Sequence, residues 1–217
     1  MESLLSNVEL LNNPDPRVAC ALLLDTSGSM SENGKIDALN SALQKFKTEL
    51  ANDSVAKRRV EVCVITFNDM ATQICDFSTV DKFAPPTLVA GGTTAMGAAV
   101  LMGLDVILQR TAMYDSNGLS RYKPWLFLLT DGDPTDDITQ ATDEAQRRAK
   151  EVVFFGIGIG AGANQQVLKQ LSPTRAILMD GLKFSDLFLW LTQSLIKVGN
   201  SRPGEQLKLD SPPGLFI

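Results

Sequence analysis

The chain has 217 residues, of which 44% are hydrophobic and 21% charged, and its formal net charge is -5. Such a composition supports a sizeable buried core and excludes disorder and coiled coil. The acid excess argues against a nucleic-acid partner, because phosphate backbones are met by basic patches.

Val18 to Leu24 (VACALLL) is a continuous apolar run, as a central strand covered on both faces requires. Residues 1–17 before it hold no apolar stretch of signal-peptide length. No run in the chain approaches the roughly 18 apolar residues of a membrane span. No membrane association is therefore expected. Ile36, Leu39, Leu43, Phe46 and Leu50 form a helical stripe. The basic run Lys57-Arg58-Arg59 reads as a solvated turn before a second strand, Val60 to Phe67. A short strand, Thr72 to Phe77, follows so closely that a hairpin is implied, which places it antiparallel at the sheet edge.

Thr79 to Gly92, punctuated by Pro85-Pro86 and Gly91-Gly92, reads as loop. Ala95 to Gln109 is helical, Tyr114 to Lys123 is a polar loop, and Trp125 to Thr130 (WLFLLT) is another buried strand. A helix over Ile138 to Lys150 has Asp136 and Asp137 as cap candidates. Val152 to Ile159, Asn164 to Leu171, Ala176 to Met179 and Phe184 to Val198 continue as strand, helix, strand and helix. This alternation predicts an α/β fold, a three-layer α/β/α sandwich whose central sheet is mostly parallel with one antiparallel edge strand. No repeat or linker divides the chain. One domain is expected over 1–217, with a core over about 17–200 and an extended tail over 201–217 that packs on the surface or reaches a partner.

The chain contains no histidine, which removes Ser-His-Asp and Cys-His catalysis and imidazole zinc sites. Cys20, Cys63 and Cys75 form no metal-type pair and sit in apolar, strand-like segments. They read as reduced core thiols of a cytoplasmic protein.

Asp25-Thr26-Ser27-Gly28-Ser29 follows directly on the first buried strand. Ligands in open parallel sheets bind at the carboxyl ends of strands, where strand order reverses. A tight loop with Gly28 at its turn lets one carboxylate and two hydroxyls at alternate positions converge. Asp131 and Gly132 follow the buried run Trp125 to Thr130 at a second strand end. Thr93 and Thr94, after Gly91-Gly92 and at the start of a helix, can bring a further hydroxyl to the same edge. Hydroxyls with one or two carboxylates suit a hard cation such as Mg²⁺ or Mn²⁺. They suit zinc or copper poorly, because softer ligands are absent.

These residues resemble the metal-ion-dependent adhesion site of von Willebrand factor type A (VWA) domains. The resemblance rests on LLLDTSGSM, on LLTDGDPTD, and on a Thr opening a helix after Gly-Gly. YKPWLFLLTDGDPTD and GGTTAMGAAV look more particularly like bacterial TerY-like proteins, cytoplasmic VWA proteins linked to tellurium resistance and chemical stress. The resemblance implies a metal held by Ser27, Ser29 and Thr94, with Asp25 and Asp131 acting directly or through water. It favours Thr94 over Thr93, because Thr94 to Ala99 matches the family's Thr-x-hydrophobic-x-x-Ala. It also implies a non-enzymatic protein-binding role in which a partner's Asp, Glu or phosphate completes the metal. Ser/Thr kinase and metal-dependent Ser/Thr phosphatase partners belong to that setting, with the chain as scaffold, adaptor or phosphorylation substrate. The Cys-rich extension of some TerY-like proteins is absent from this sequence.

Other readings compete. Asp25 could be the aspartyl nucleophile of a Mg²⁺-dependent phosphohydrolase, although Ser27 stands where such enzymes place a second acid. Gly158-x-Gly160-x-x-Ala163, followed by Asp180, mimics a dinucleotide fingerprint, but it lies late in the chain and reads as loop geometry. Trp190 has a flank (Phe184, Phe188, Leu189) more apolar than one helical stripe needs. It reads as core packing, with a metal-independent docking patch on the last helix and tail as the alternative.

Overall fold

The computed structural model describes residues 13–173, 175–179 and 182–216. Among the described residues the strands are β1 (Val18–Asp25), β2 (Val60–Phe67), β3 (Ala71–Thr79), β4 (Trp125–Thr130), β5 (Val153–Ile159), β6 (Ala176–Met179) and β7 (Leu215–Phe216). They form one sheet in the order β3-β2-β1-β4-β5-β6-β7. The helices are α1 (Lys35–Asn52), the single turn α2 (Ala56–Arg59), α3 (Met96–Ser116), α4 (Thr139–Arg147), α5 (Gln165–Leu171) and α6 (Phe184–Gly199). A 3-10 turn over Gly28–Gly34 links β1 to α1.

Side chains alternate across a strand, so one strand serves two cores. Val18, Cys20, Leu22 and Leu24 of β1 face a cluster with Leu39, Leu43 and Phe46 of α1 and Leu187, Leu191 and Leu195 of α6. Ala19, Ala21 and Leu23 face the opposite cluster, with Val100, Leu104 and Ile107 of α3, Ala141 of α4 and Leu168 of α5. The expected three-layer α/β/α arrangement is therefore present.

β1 pairs in parallel with β2 and β4, and β4-β5 and β5-β6 are parallel too. β3 is antiparallel to β2 at one edge, as the short link predicts. Beyond that predicted edge strand, a two-residue strand, β7, adds an antiparallel pair with β6 at the other edge. It comes from the tail, where two residues are too short a stretch for any periodicity to show. Before reaching β6, the tail crosses α6. The Trp190 indole donates to the Asp210 carbonyl oxygen at 2.8 Å, and Leu207 and Leu209 pack against the core. Trp190 stacks on Trp125 and meets Phe155 edge-on, and only 6% of it is exposed. Core packing, not a free docking patch, accounts for it.

Three further expectations change. The polar segment from Tyr114 continues α3 to Ser116, because the Tyr114 side chain is buried and its hydroxyl donates to Glu61. Lys57-Arg58-Arg59 is not a free turn: Arg58 and Arg59 pair with Asp15, and Arg59 also donates to the Gly199 carbonyl oxygen. Cys75 is only half-buried on β3, whereas Cys20 and Cys63 are core, and all three are free thiols. By length and composition α3 could cross a membrane; in the fold half of it is buried as a core helix beneath the sheet.

Candidate metal centre

Strand order reverses between β1 and β4, and the carboxyl ends of these two strands carry the candidate residues. Register brings them together. Leu24 lies opposite Leu129, so Asp25 comes level with Thr130 and Asp131 follows at once. The Thr130 hydroxyl donates to Asp25 Oδ2 at 2.6 Å, and the Ser27 backbone N–H donates to Asp25 Oδ1 at 2.8 Å. Ser27 Oγ and Ser29 Oγ are 3.1 Å apart, and Ser29 Oγ donates to Asp131 Oδ1 at 2.6 Å. Hydrogen bonds thus join Ser27, Ser29 and Asp131, with Asp25 bonded to the Ser27 amide.

Asp25 is fully buried and Asp131 nearly so. Burial pushes the Asp25 carboxyl above its ordinary range, hydrogen bonds from Ser27 and Thr130 pull it partly back, and the nearby Asp131 charge pushes it up again. The loop that holds it is fixed from both sides. Thr26 bonds the Phe67 carbonyl oxygen through its amide and its hydroxyl, and buried Met30 pins the far end.

Thr94 arrives on the third loop. The Gly28 amide donates to the Gly92 carbonyl oxygen and the Gly91 amide to that of Thr26, so the first and third loops are laced together. Gly92 has φ +82°, and a Cβ there would lie within 2.9 Å of the Asp69 carboxylate, which accepts from the amide and hydroxyl of Thr93. Thr94 donates its amide to the Thr135 hydroxyl and accepts the Thr135 amide at its carbonyl. Its own hydroxyl is not part of the Asp25-Ser27-Ser29-Asp131 group. The Thr93 hydroxyl is engaged by Asp69.

Several contributors were not expected from the sequence. Lys35 Nζ lies 2.6 Å from Asp131 Oδ2 and 3.2 Å from the Ser29 carbonyl oxygen. A lysine opening a helix opposes the helix dipole by no more than about 1 kcal/mol, too weak a signal in the sequence to name its partner. Asp136, expected to cap the helix that follows it, accepts from the Gly97 and Ala98 amides at the start of α3. Asp137 alone serves the next helix, through the Thr139 amide and hydroxyl. Asp133 accepts from Asn164, which also caps α5.

Two competing readings can be placed. Both carboxylate oxygens of Asp25 are bonded and buried, a poor setting for a nucleophile. At Gly158, a Cβ would lie 2.7 Å from the Ala163 Cβ and 2.8 Å from Leu168, so this glycine serves close packing of α5 on β5. Asp180 lies outside the described residues.

The donors brought together at the ends of β1 and β4 are all oxygen, two carboxylates and the Ser27 and Ser29 hydroxyls, with Thr94 on the neighbouring loop, a set that fits a hard dication. Among the described residues no group of three or more His, Cys, Asp or Glu could hold a metal, so any metal here depends on hydroxyls.

The family model for the von Willebrand factor type A domain matches residues 20–185, a span that takes in all five candidate residues. No curated protein matches the chain by sequence. Among solved structures, proximal thread matrix protein 1 of the mussel byssus, with zinc in its MIDAS motif, is 16% identical with a TM-score of 0.58. That match covers 83% of this chain and 48% of that one, so this chain spans about half its length. A von Willebrand factor type A protein of Catenulispora acidiphila is 16% identical over 83% of this chain and 43% of that one, with a TM-score of 0.60. The domain of the type V pilus tip protein Mfa5 of Porphyromonas gingivalis is 10% identical over 88% and 99%, with a TM-score of 0.64. At these identities the likeness is one of fold.

Proposed function

The chain belongs to the von Willebrand factor type A family, and from that membership we propose that it is a non-enzymatic, divalent-metal-dependent protein-binding module. The observation that carries this reading is the hydrogen-bonded group Ser27-Ser29-Asp131 beside buried Asp25. Asp25, Ser27, Ser29, Thr94 and Asp131 would hold the cation, directly or through water. The metal would supply a Lewis-acidic position that a partner's Asp, Glu or phosphate completes. The chain's own loops orient the donors, and burial of Asp25 makes its ionised form costly until a cation neutralises it.

Mg²⁺ or Mn²⁺ suits the oxygen donors best. The zinc in the mussel protein's MIDAS motif makes zinc a necessary arm of any titration. The finer setting is a cytoplasmic bacterial stress system of the TerY type, in which the chain is the scaffold or phosphorylation substrate of a Ser/Thr kinase and phosphatase. Its support is the sequence resemblance of YKPWLFLLTDGDPTD and GGTTAMGAAV.

The test is calorimetric titration of Mg²⁺, Mn²⁺ and Zn²⁺ into wild type and Asp25→Ala, with circular dichroism on both. One saturable site in wild type, lost in a folded variant, is expected. No uptake of any of the three metals by wild type would overturn the reading. At a metal concentration about a hundredfold above the dissociation constant, the fold should gain roughly 2.7 kcal/mol.

A further inference from the structure

Lys35 has no part in the metal-binding reading, yet its side chain enters the same group. Its ammonium bonds Asp131 Oδ2 and the Ser29 carbonyl oxygen. The Asp131 side chain is 1% exposed and that of Lys35 is 17%, so solvent and salt screen the pair weakly. The placement also runs against the local field, since Lys35 is the first residue of α1 and the helix dipole repels a cation there. A built turn puts it in place. Asn33 and Gly34 have φ of 53° and 73°, and this kink redirects the chain between the 3-10 turn and α1.

We propose that Lys35 is a resident counter-cation of the metal site. It holds Asp131 when no metal is bound, opposes entry of a dication, and leaves the loaded site with a positive charge that favours an acidic partner group. The proposal rests on the metal-binding reading above. Two carboxylates and one ammonium carry one net negative charge. A dication converts that to one net positive charge, which a single partner carboxylate neutralises. Without Lys35 the loaded site would be formally neutral, and its preference for an acid would rest on the metal's open position alone. Among the described residues the donors to Asp25 are neutral, and Lys35 is the cation that compensates the carboxylate pair in the metal-free fold.

The experiment uses the full chain with three substitutions. Lys35→Met removes the charge and keeps most of the stem, Lys35→Gln keeps a donor without the charge, and Lys35→Arg keeps the charge. Melting temperature in chelator and Mg²⁺ affinity by calorimetry are measured for each. The Met and Gln variants should melt below wild type in chelator and bind Mg²⁺ roughly tenfold more tightly, as expected from removing a like charge beside the ion. The Arg variant should stay near wild type in both. A variant that folds only with Mg²⁺ present supports the proposal, and so does Mg²⁺ uptake by the Met or Gln variant where wild type shows none. Unchanged melting in chelator, or Mg²⁺ affinity in the Met and Gln variants no tighter than in wild type, overturns it. If neither wild type nor any variant takes up metal, the metal-binding reading fails and the dication part of the proposal with it. The chelator melts then still decide whether Lys35 holds Asp131.

Discussion

Glu61 shows how a single residue can fix structure far from the metal edge. It is 2% exposed at the start of β2 and accepts from Arg17 Nε at 3.2 Å, Arg110 Nε at 2.7 Å and the Tyr114 hydroxyl. A buried carboxylate stripped of one cation is strongly destabilising, so Arg110→Met should cost about 3 kcal/mol in urea denaturation. A loss below about 1 kcal/mol would mean that Arg17 and Tyr114 suffice. Tyr114→Phe tests the same group through pH. Burial first, and the Glu61 charge next, push the Tyr114 hydroxyl well above its ordinary value of 10. The native state therefore keeps a proton that the unfolded chain releases near pH 10, and stability falls as pH rises past that value. The Phe variant should lose about 1–2 kcal/mol at neutral pH and show a shallower alkaline decline than wild type. Parallel declines for the two proteins would refute that. The sequence could not reveal this role, because a tyrosine in a polar stretch looks like loop until its buried partner, 53 residues away, is known.

At the scale of elements, the metal edge depends on how α3 begins. Asp136 caps it from a loop 39 residues distant in sequence, and the Thr94 backbone is tied to Thr135 on that same loop. Asp136→Ala should cost about 1 kcal/mol by thermal or urea denaturation. It should also weaken Mg²⁺ binding severalfold in calorimetry, since the loop that carries Thr94 loses its anchor. Unchanged metal affinity would show that Thr94 is held without it. Strands and helices themselves were legible, because VACALLL, VEVCVITF and WLFLLT are apolar throughout and helical stripes separate them. Asp25, Ser27, Ser29 and Asp131 were legible too, since strand ends beside a glycine announce a convergent loop. Lys35 and Asp136 were not. Sequence exposes capping only between near neighbours, so both Asp136 and Asp137 were assigned to the helix that follows, and only Asp137 serves it.

For the molecule as a whole, the tail is what the sequence described least well. Its three prolines announce extended chain, but nothing in residues 201–217 says which surface it follows. The structure supplies the reason for the broad apolar flank around Trp190: α6 faces the sheet on one side and the tail on another. The Tyr122 hydroxyl donates to the Ser201 carbonyl oxygen where the tail begins, Lys197 donates to that of Lys208, Trp190 donates to that of Asp210, and β7 closes the sheet edge on β6. Truncation after Arg202 would strip an indole N–H of its partner, uncover the apolar surface under Leu207 and Leu209, and leave β6 as an open edge. A loss of about 2–4 kcal/mol in urea denaturation is expected from these together, with a red-shifted tryptophan emission as water reaches Trp190. Because the tail's contacts run to α6, Tyr122 and β6 while the metal donors sit on β1, β4 and the loop before α3, Mg²⁺ affinity should be unchanged in the truncated chain. Unaltered stability and emission would mean that the tail lies on α6 without supporting it. A changed Mg²⁺ affinity would instead mean that the last helix and the metal edge are mechanically coupled.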